Sequence, residues 1–77
     1  MILIYGKDQC PYCDMAKGLA ERKGLEFTYL KLGQDYDQLE LFKQFPTART
    51  YPQIKANGEN IGGYAEFETW VEGYRTV

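Results

Sequence analysis

The chain of 77 residues contains no histidine and only two cysteines. Without imidazole there is no histidine acid or base, no Cys–His or Ser–His nucleophile pair, and no zinc site that relies on His. Cys10 and Cys13 do not complete a four-cysteine metal site within one chain, so no metal is expected. Three positions apart, they chiefly act on each other. Long apolar runs are also missing. None approaches the roughly 20 residues that cross a bilayer, and Met1 to Tyr5 is too short, without a basic leader, for a signal peptide. A soluble, cytoplasmic protein with no membrane partner is expected. Basic excess is missing too: 9 Lys and Arg stand against 11 Asp and Glu, a net charge of -2. General binding of nucleic acid is therefore not expected, since phosphates must be neutralised by cations. No repeat, low-complexity tract, linker or charge run divides the chain.

What is present is a globular composition, 44% hydrophobic, 16% aromatic and 26% charged. A chain this short cannot divide its core, so one domain over residues 1–77 is expected. With no spare apolar segment for an interface, that domain is expected to be a monomer.

Ile2, Leu3, Ile4 and Tyr5 form a continuous apolar run ended by Gly6, the pattern of a central strand covered on both faces. Pro11 suits the first turn of a helix whose apolar residues Met15, Ala16, Leu19 and Ala20 share one face, with Gly24 as its stop. Leu25 to Leu32 is rich in strand formers and closes at Gly33. Asp35 or Asp37 caps a second helix carrying Leu39, Leu41, Phe42 and Phe45, and Pro46 marks its end. Gln53–Ala56 and Asn60–Gly62 flank Asn57-Gly58, a hairpin turn pair, so these two strands are antiparallel. Phe67, Trp70, Val71 and Tyr74 recur at helical spacing between Ala65 and Tyr74, which predicts a last helix packed on the sheet by this stripe. The order is βαβ then ββα. The first unit demands a parallel pair with a right-handed crossover, giving an α/β fold with a four-stranded mixed sheet and three helices. That is a minimal thioredoxin-like fold.

Cys10-Pro11-Tyr12-Cys13 falls where the first strand hands over to the first helix. Unpaired N–H groups and the partial positive charge of a helix start favour thiolate over thiol, so Cys10 is expected to be the nucleophile, with a depressed pKa. Cys13, about one turn further on, is placed to attack a mixed disulfide on Cys10 and resolve it. Two other readings of the pair stand beside this one. A structural disulfide closing so short a loop contributes only about 2 kcal/mol. Two ligands of a metal or cluster shared between chains would need partner thiols.

At these residues the chain resembles the glutaredoxin family, in its short dithiol form, from Ile2 to about Tyr74. Lys7 stands three positions before Cys10, Thr50-Tyr51-Pro52 is similar to the family's Thr-Val-Pro segment, and Gly62-Gly63 is similar to its diglycine before the last helix. The resemblance implies a glutathione-linked thiol-disulfide oxidoreductase that reduces protein disulfides and glutathionylated proteins. It implies a cis bond before Pro52, with the Tyr51 backbone turned to the substrate. Lys7 and Arg49 are expected at one carboxylate of glutathione and Tyr12 along the tripeptide. The γ-glutamyl end is expected at the start of the last helix, where Ala65 and Glu66 stand, with Gly62 and Gly63 letting the backbone pass close to the peptide and Tyr64 an exposed contact near the active site. Here the resemblance is imperfect: Ala65 and Glu66 replace a hydroxyl residue followed by Asp, Tyr51 replaces a valine, and Lys55 falls where relatives often carry an aromatic ring. Two alternatives follow from it. One is a carrier reduced by thioredoxin reductase that serves ribonucleotide reductase as hydrogen donor. The other is a non-catalytic module holding a glutathione-anchored iron–sulfur cluster between two chains.

Overall fold

The structure is a computed structural model that describes residues 1–75, with the side chains of residues 1–73. Seven elements follow the chain: β1 (Ile2–Gly6), α1 (Pro11–Arg22), β2 (Phe27–Lys31), α2 (Gln38–Gln44), β3 (Gln53–Ala56), β4 (Glu59–Gly62) and α3 (Tyr64–Arg75). The sheet order is β2-β1-β3-β4, with β1 parallel to β2 and antiparallel to β3, and β3 antiparallel to β4. β1 is central, as its unbroken apolar run predicts.

Side chains alternate across the pleat, so the sheet has two cores. Ile2 and Ile4 of β1, with Ile54 and Ala56 of β3, meet Ala16, Leu19 and Ala20 of α1 and Phe67 and Val71 of α3. On the other face Tyr5 meets Tyr36 and the α2 side through Leu41 and Phe45, with Leu3 and Leu30 packed at its margin. Two helices therefore cover one face and the shortest helix covers the other.

The elements depart from the sequence reading in places that have local causes. β2 begins at Phe27 because Leu25 belongs to the end of α1: Gly24, at φ +68, and Leu25 donate their N–H groups to Glu21 and Ala20 at 3.1 and 3.0 Å. This is a Schellman closure, and it occupies the backbone that a longer strand would need. Of the two candidate caps, Asp37 serves α2, accepting from the Glu40 N–H at 2.8 Å, while Asp35 accepts from Lys31 and closes the preceding turn. A seven-residue helix presents a single stripe, and Leu41 and Phe45 take it. Leu39 and Phe42 are therefore 65% and 45% exposed, against the expectation that they join the apolar face. Met15 of α1 is likewise exposed, since Cys13, Ala16, Leu19 and Ala20 fill the buried side. In α3 Phe67 and Val71 are fully buried and Trp70 half-buried, stacked on Phe67, whereas the Tyr74 side chain lies outside the described residues.

Candidate active site

The site starts at the C-terminal end of β1, where Gly6 leads into the loop before α1. Gly6 lacks a Cβ for a visible reason: an added one would run into the Tyr29 ring, which crosses over it from β2. From there the Tyr29 hydroxyl donates to the Lys7 carbonyl at 3.4 Å, and the Tyr36 hydroxyl donates to the Gly6 carbonyl at 2.7 Å. Gln9, the residue before Cys10, holds φ +55, in the left-handed region that glycine usually occupies. The loop is thus braced from the neighbouring strand and turn.

Cys10 is the N-cap of α1. Its backbone is extended, Pro11 takes the first helical position, and its Sγ accepts the Cys13 N–H at 3.2 Å where a serine or aspartate oxygen would ordinarily sit. Cys10 and Cys13 are joined as a disulfide with Cα atoms 5.2 Å apart. Cys10 is 8% exposed and Cys13 fully buried, so an incoming sulfur can approach only Cys10. That asymmetry separates an attacking from a resolving position within one pair.

Two further segments meet the motif at Tyr12. The Tyr51–Pro52 bond is cis and Pro52 is buried at the entrance to β3. Tyr51 carries the Lys7 ammonium over its ring, 5.0 Å from the centroid. At the third segment Gly62, at φ +123, and Gly63 precede α3. Glu66, the third residue of that helix, folds back so that its Oε1 accepts the Gly63 N–H at 2.9 Å, half of a capping box. A Cβ on Gly62 would sit 3.0 Å from the Glu66 Cγ, so the glycine permits this fold-back. Between the segments runs a groove of about 310 Å³, lined by Tyr12 and Tyr64, by Thr50 and Tyr51, and by Gly63, Ala65 and Glu66. Tyr12 is 58% exposed, and its ring centroid lies 6.0 Å from that of Tyr64.

Most of the residues singled out in the sequence therefore meet at one place. Arg49 does not: it lines a separate cleft of about 60 Å³ against α2, with Gln38 and Phe42, that shares only Thr50 and Tyr51 with the groove. Lys55 also leaves the groove, turning to Gln44 and the Phe45 ring on the α2 side. Tyr29, Tyr36 and Gln9 were not found from the sequence. They act on the loop from a different strand, from a turn and through a backbone angle, and only Gly6, read there as a strand stop, hinted at the close approach.

Burial raises the Tyr36 hydroxyl well above the ordinary range, reinforced by charge repulsion from the titrating hydroxyls of Tyr51, Tyr29 and Tyr5. Tyr5 and Tyr29 are raised by burial as well, Tyr5 further by Glu40 and Tyr29 by Asp14 and Asp8, against a lowering from its bond to Lys7. The braces of the loop therefore stay protonated donors at neutral pH. Among the described residues no group of three or more His, Cys, Asp and Glu is placed to hold a metal ion, and no helix is long and apolar enough to cross a membrane.

A Cys-x-x-Cys disulfide at the start of a helix, with its second sulfur the more deeply buried, and a cis-proline at the entrance to a strand of the same four-stranded mixed sheet define a thiol-disulfide oxidoreductase of thioredoxin-like fold. Comparison with known proteins gives the family. The Glutaredoxin family model matches residues 2–61. Glutaredoxin 1 of Escherichia coli K12 is 34% identical over 77 residues, covering 91% of each chain, and Glutaredoxin 3 of the same strain is 37% identical over 60 residues, covering 78% of this chain and 72% of its own. The oxidised E. coli glutaredoxin structure superposes with a TM-score of 0.84 at 30% identity over 99% of this chain and 98% of that one. A buckwheat glutaredoxin–glutathione complex superposes at 0.77 with 27% identity, over 94% of this chain and 69% of that one. The chain belongs to the glutaredoxin family and is a dithiol member of it.

Proposed function

We propose that this chain is a glutathione-linked reductase of protein disulfides and glutathionylated proteins, working in the cytoplasm as a single monomeric domain over residues 1–77. The observation that carries the reading is the Cys10–Cys13 pair at the start of α1, Cys10 8% exposed and Cys13 fully buried, with Tyr12 between them lining the groove that Tyr51 and α3 complete. In the reduced protein the Cys13 N–H and the start of α1 favour a Cys10 thiolate. That thiolate attacks a substrate disulfide, forming a mixed disulfide on Cys10 and releasing one substrate thiolate. Cys13 then attacks the Cys10 sulfur, releasing the second thiolate and closing the disulfide seen in the structure. Two glutathione thiols supply the two electrons that reopen it and leave as glutathione disulfide.

The groove suits a short anionic peptide thiol. Lys7 provides a cation at the Tyr51 side, the first N–H groups of α3 face an anion at the other end, and the Tyr12 and Tyr64 rings form the wall between. The oxygen of Glu66 not engaged at Gly63 is left for an ammonium. Arg49, in its separate cleft, contributes charge from a distance.

A second reading is favoured by one feature. Ala65 offers no hydroxyl at the α3 end and Glu66 is half committed to the helix cap, so this end holds fewer ligands for glutathione. The chain would then be recharged by thioredoxin reductase and pass electrons to a protein such as ribonucleotide reductase. The two readings separate in one assay: NADPH oxidation during reduction of a small mixed disulfide, with glutathione plus glutathione reductase in one cuvette and thioredoxin reductase alone in the other. Turnover confined to the first supports the glutathione-linked reading, and turnover confined to the second replaces it.

A further inference from the structure

Tyr51 stands where the family resemblance puts a valine, and its surroundings show what the larger side chain does. One face of the ring carries the Lys7 ammonium at 5.0 Å, inside the roughly 6 Å reach of a cation–π contact. The ring also packs against the Tyr5, Tyr36, Leu41 and Phe45 core, which fixes its plane. Its hydroxyl is buried without a hydrogen-bond partner, so the ring and not the oxygen fits this position. Among the described residues the one ion pair joins Lys31 to Asp8, so no carboxylate competes for Lys7. A lysine on an exposed loop ordinarily samples many rotamers, and ordering it costs binding energy each time an anion is captured. Here the Tyr51 ring, which lines the groove, meets the ammonium and offers it one preferred position.

We propose that Tyr51 is a positioning residue acting through Lys7: the ring holds the ammonium at the groove mouth as a fixed cation for a carboxylate of the peptide thiol substrate. The inference rests on the glutathione-linked reading above, and it assigns to this chain a device that a valine cannot supply.

The test is steady-state kinetics with glutathione as the varied substrate, for Tyr51→Val and Tyr51→Phe, each with Lys7 intact and with Lys7→Gln. Tyr51→Val is expected to raise KM for glutathione about two- to five-fold, the value of an exposed cation–π contact, with kcat moving less. Tyr51→Phe, which keeps the ring, recovers most of that loss. In the Lys7→Gln background the Tyr51→Val effect disappears. An effect of equal size with and without Lys7, or no change in KM, overturns the proposal. If the wild type shows no glutathione turnover, the functional reading falls, and the position of Lys7 is decided by its side-chain NMR signals. An upfield ring-current shift of the Lys7 ε protons, kept in Tyr51→Phe and lost in Tyr51→Val, supports the ring as the holder; unshifted signals in the wild type refute it.

Discussion

Cys10 has two jobs that can be separated by substitution, because it caps α1 through the same sulfur that reacts. A serine oxygen caps a helix at least as well, so Cys10→Ser is expected to match the reduced wild type in urea stability to about 0.5 kcal/mol while losing all turnover. Cys13→Ser is expected to lose reduction of protein disulfides and to keep deglutathionylation, which needs only the Cys10 attack. Retained protein-disulfide reduction in Cys13→Ser would remove Cys13 from the resolving role. The same scale explains Gly6. Gly6→Ala drives a methyl into the Tyr29 ring, which is itself held under the Lys17 ammonium at 4.4 Å. The expected cost is about 1–3 kcal/mol in urea unfolding, the range for an overpacked contact. A neutral result would mean that Tyr29 swings aside freely and does not brace the loop.

At the scale of elements, α2 is the weak point. Seven residues are well short of the roughly 12–15 that hold a helix unaided, so α2 depends on Leu41, Phe45 and the Asp37 cap. Asp37→Ala is expected to lower stability by about 1 kcal/mol and to speed hydrogen exchange at the Leu41 to Phe45 amides ahead of those in β1. Uniform acceleration across the sheet would show instead that α2 opens only with the whole molecule. These elements were also where the sequence could be read best. β1 declared itself by an unbroken apolar run, α1 by Pro11, and the β3–β4 hairpin by Asn57-Gly58, because each signal is local and each element obeys it. The errors came where two local motifs competed for one residue. Leu25 is apolar and borders the strand formers Phe27 and Tyr29, but its N–H closes the end of α1. Leu39 and Phe42 are apolar, but the sheet face beside α2 has room for one stripe. The candidate site was legible for a different reason: Cys10, Pro52 and Gly63 are chemically singular residues, whereas Tyr29 and Tyr36 are ordinary aromatics until the fold sets their hydroxyls on the Gly6 and Lys7 carbonyls.

Across the whole molecule those hydroxyls couple the loop to pH. Tyr36, Tyr5 and Tyr29 all hold their protons more tightly folded than unfolded, chiefly because burial disfavours the phenolate. Their contribution to stability is therefore complete below the unfolded value of about pH 10, and it is lost as pH rises from there through the raised folded values. Alkali should unfold the protein by charging its second core, where Tyr5 and Tyr36 meet edge to face with ring centroids 5.2 Å apart. Tyr36 should dominate, since it is the most strongly raised and donates to the Gly6 carbonyl at 2.7 Å. Tyr36→Phe separates the two contributions. At about pH 8 it should cost about 1 kcal/mol for the lost hydrogen bond, but a phenyl ring cannot ionise, so its urea midpoint should fall less steeply than the wild type's between about pH 10 and pH 11.5. Parallel pH profiles for the two proteins would show that the charge entering at alkaline pH comes from elsewhere, and that the Tyr36 brace serves geometry alone.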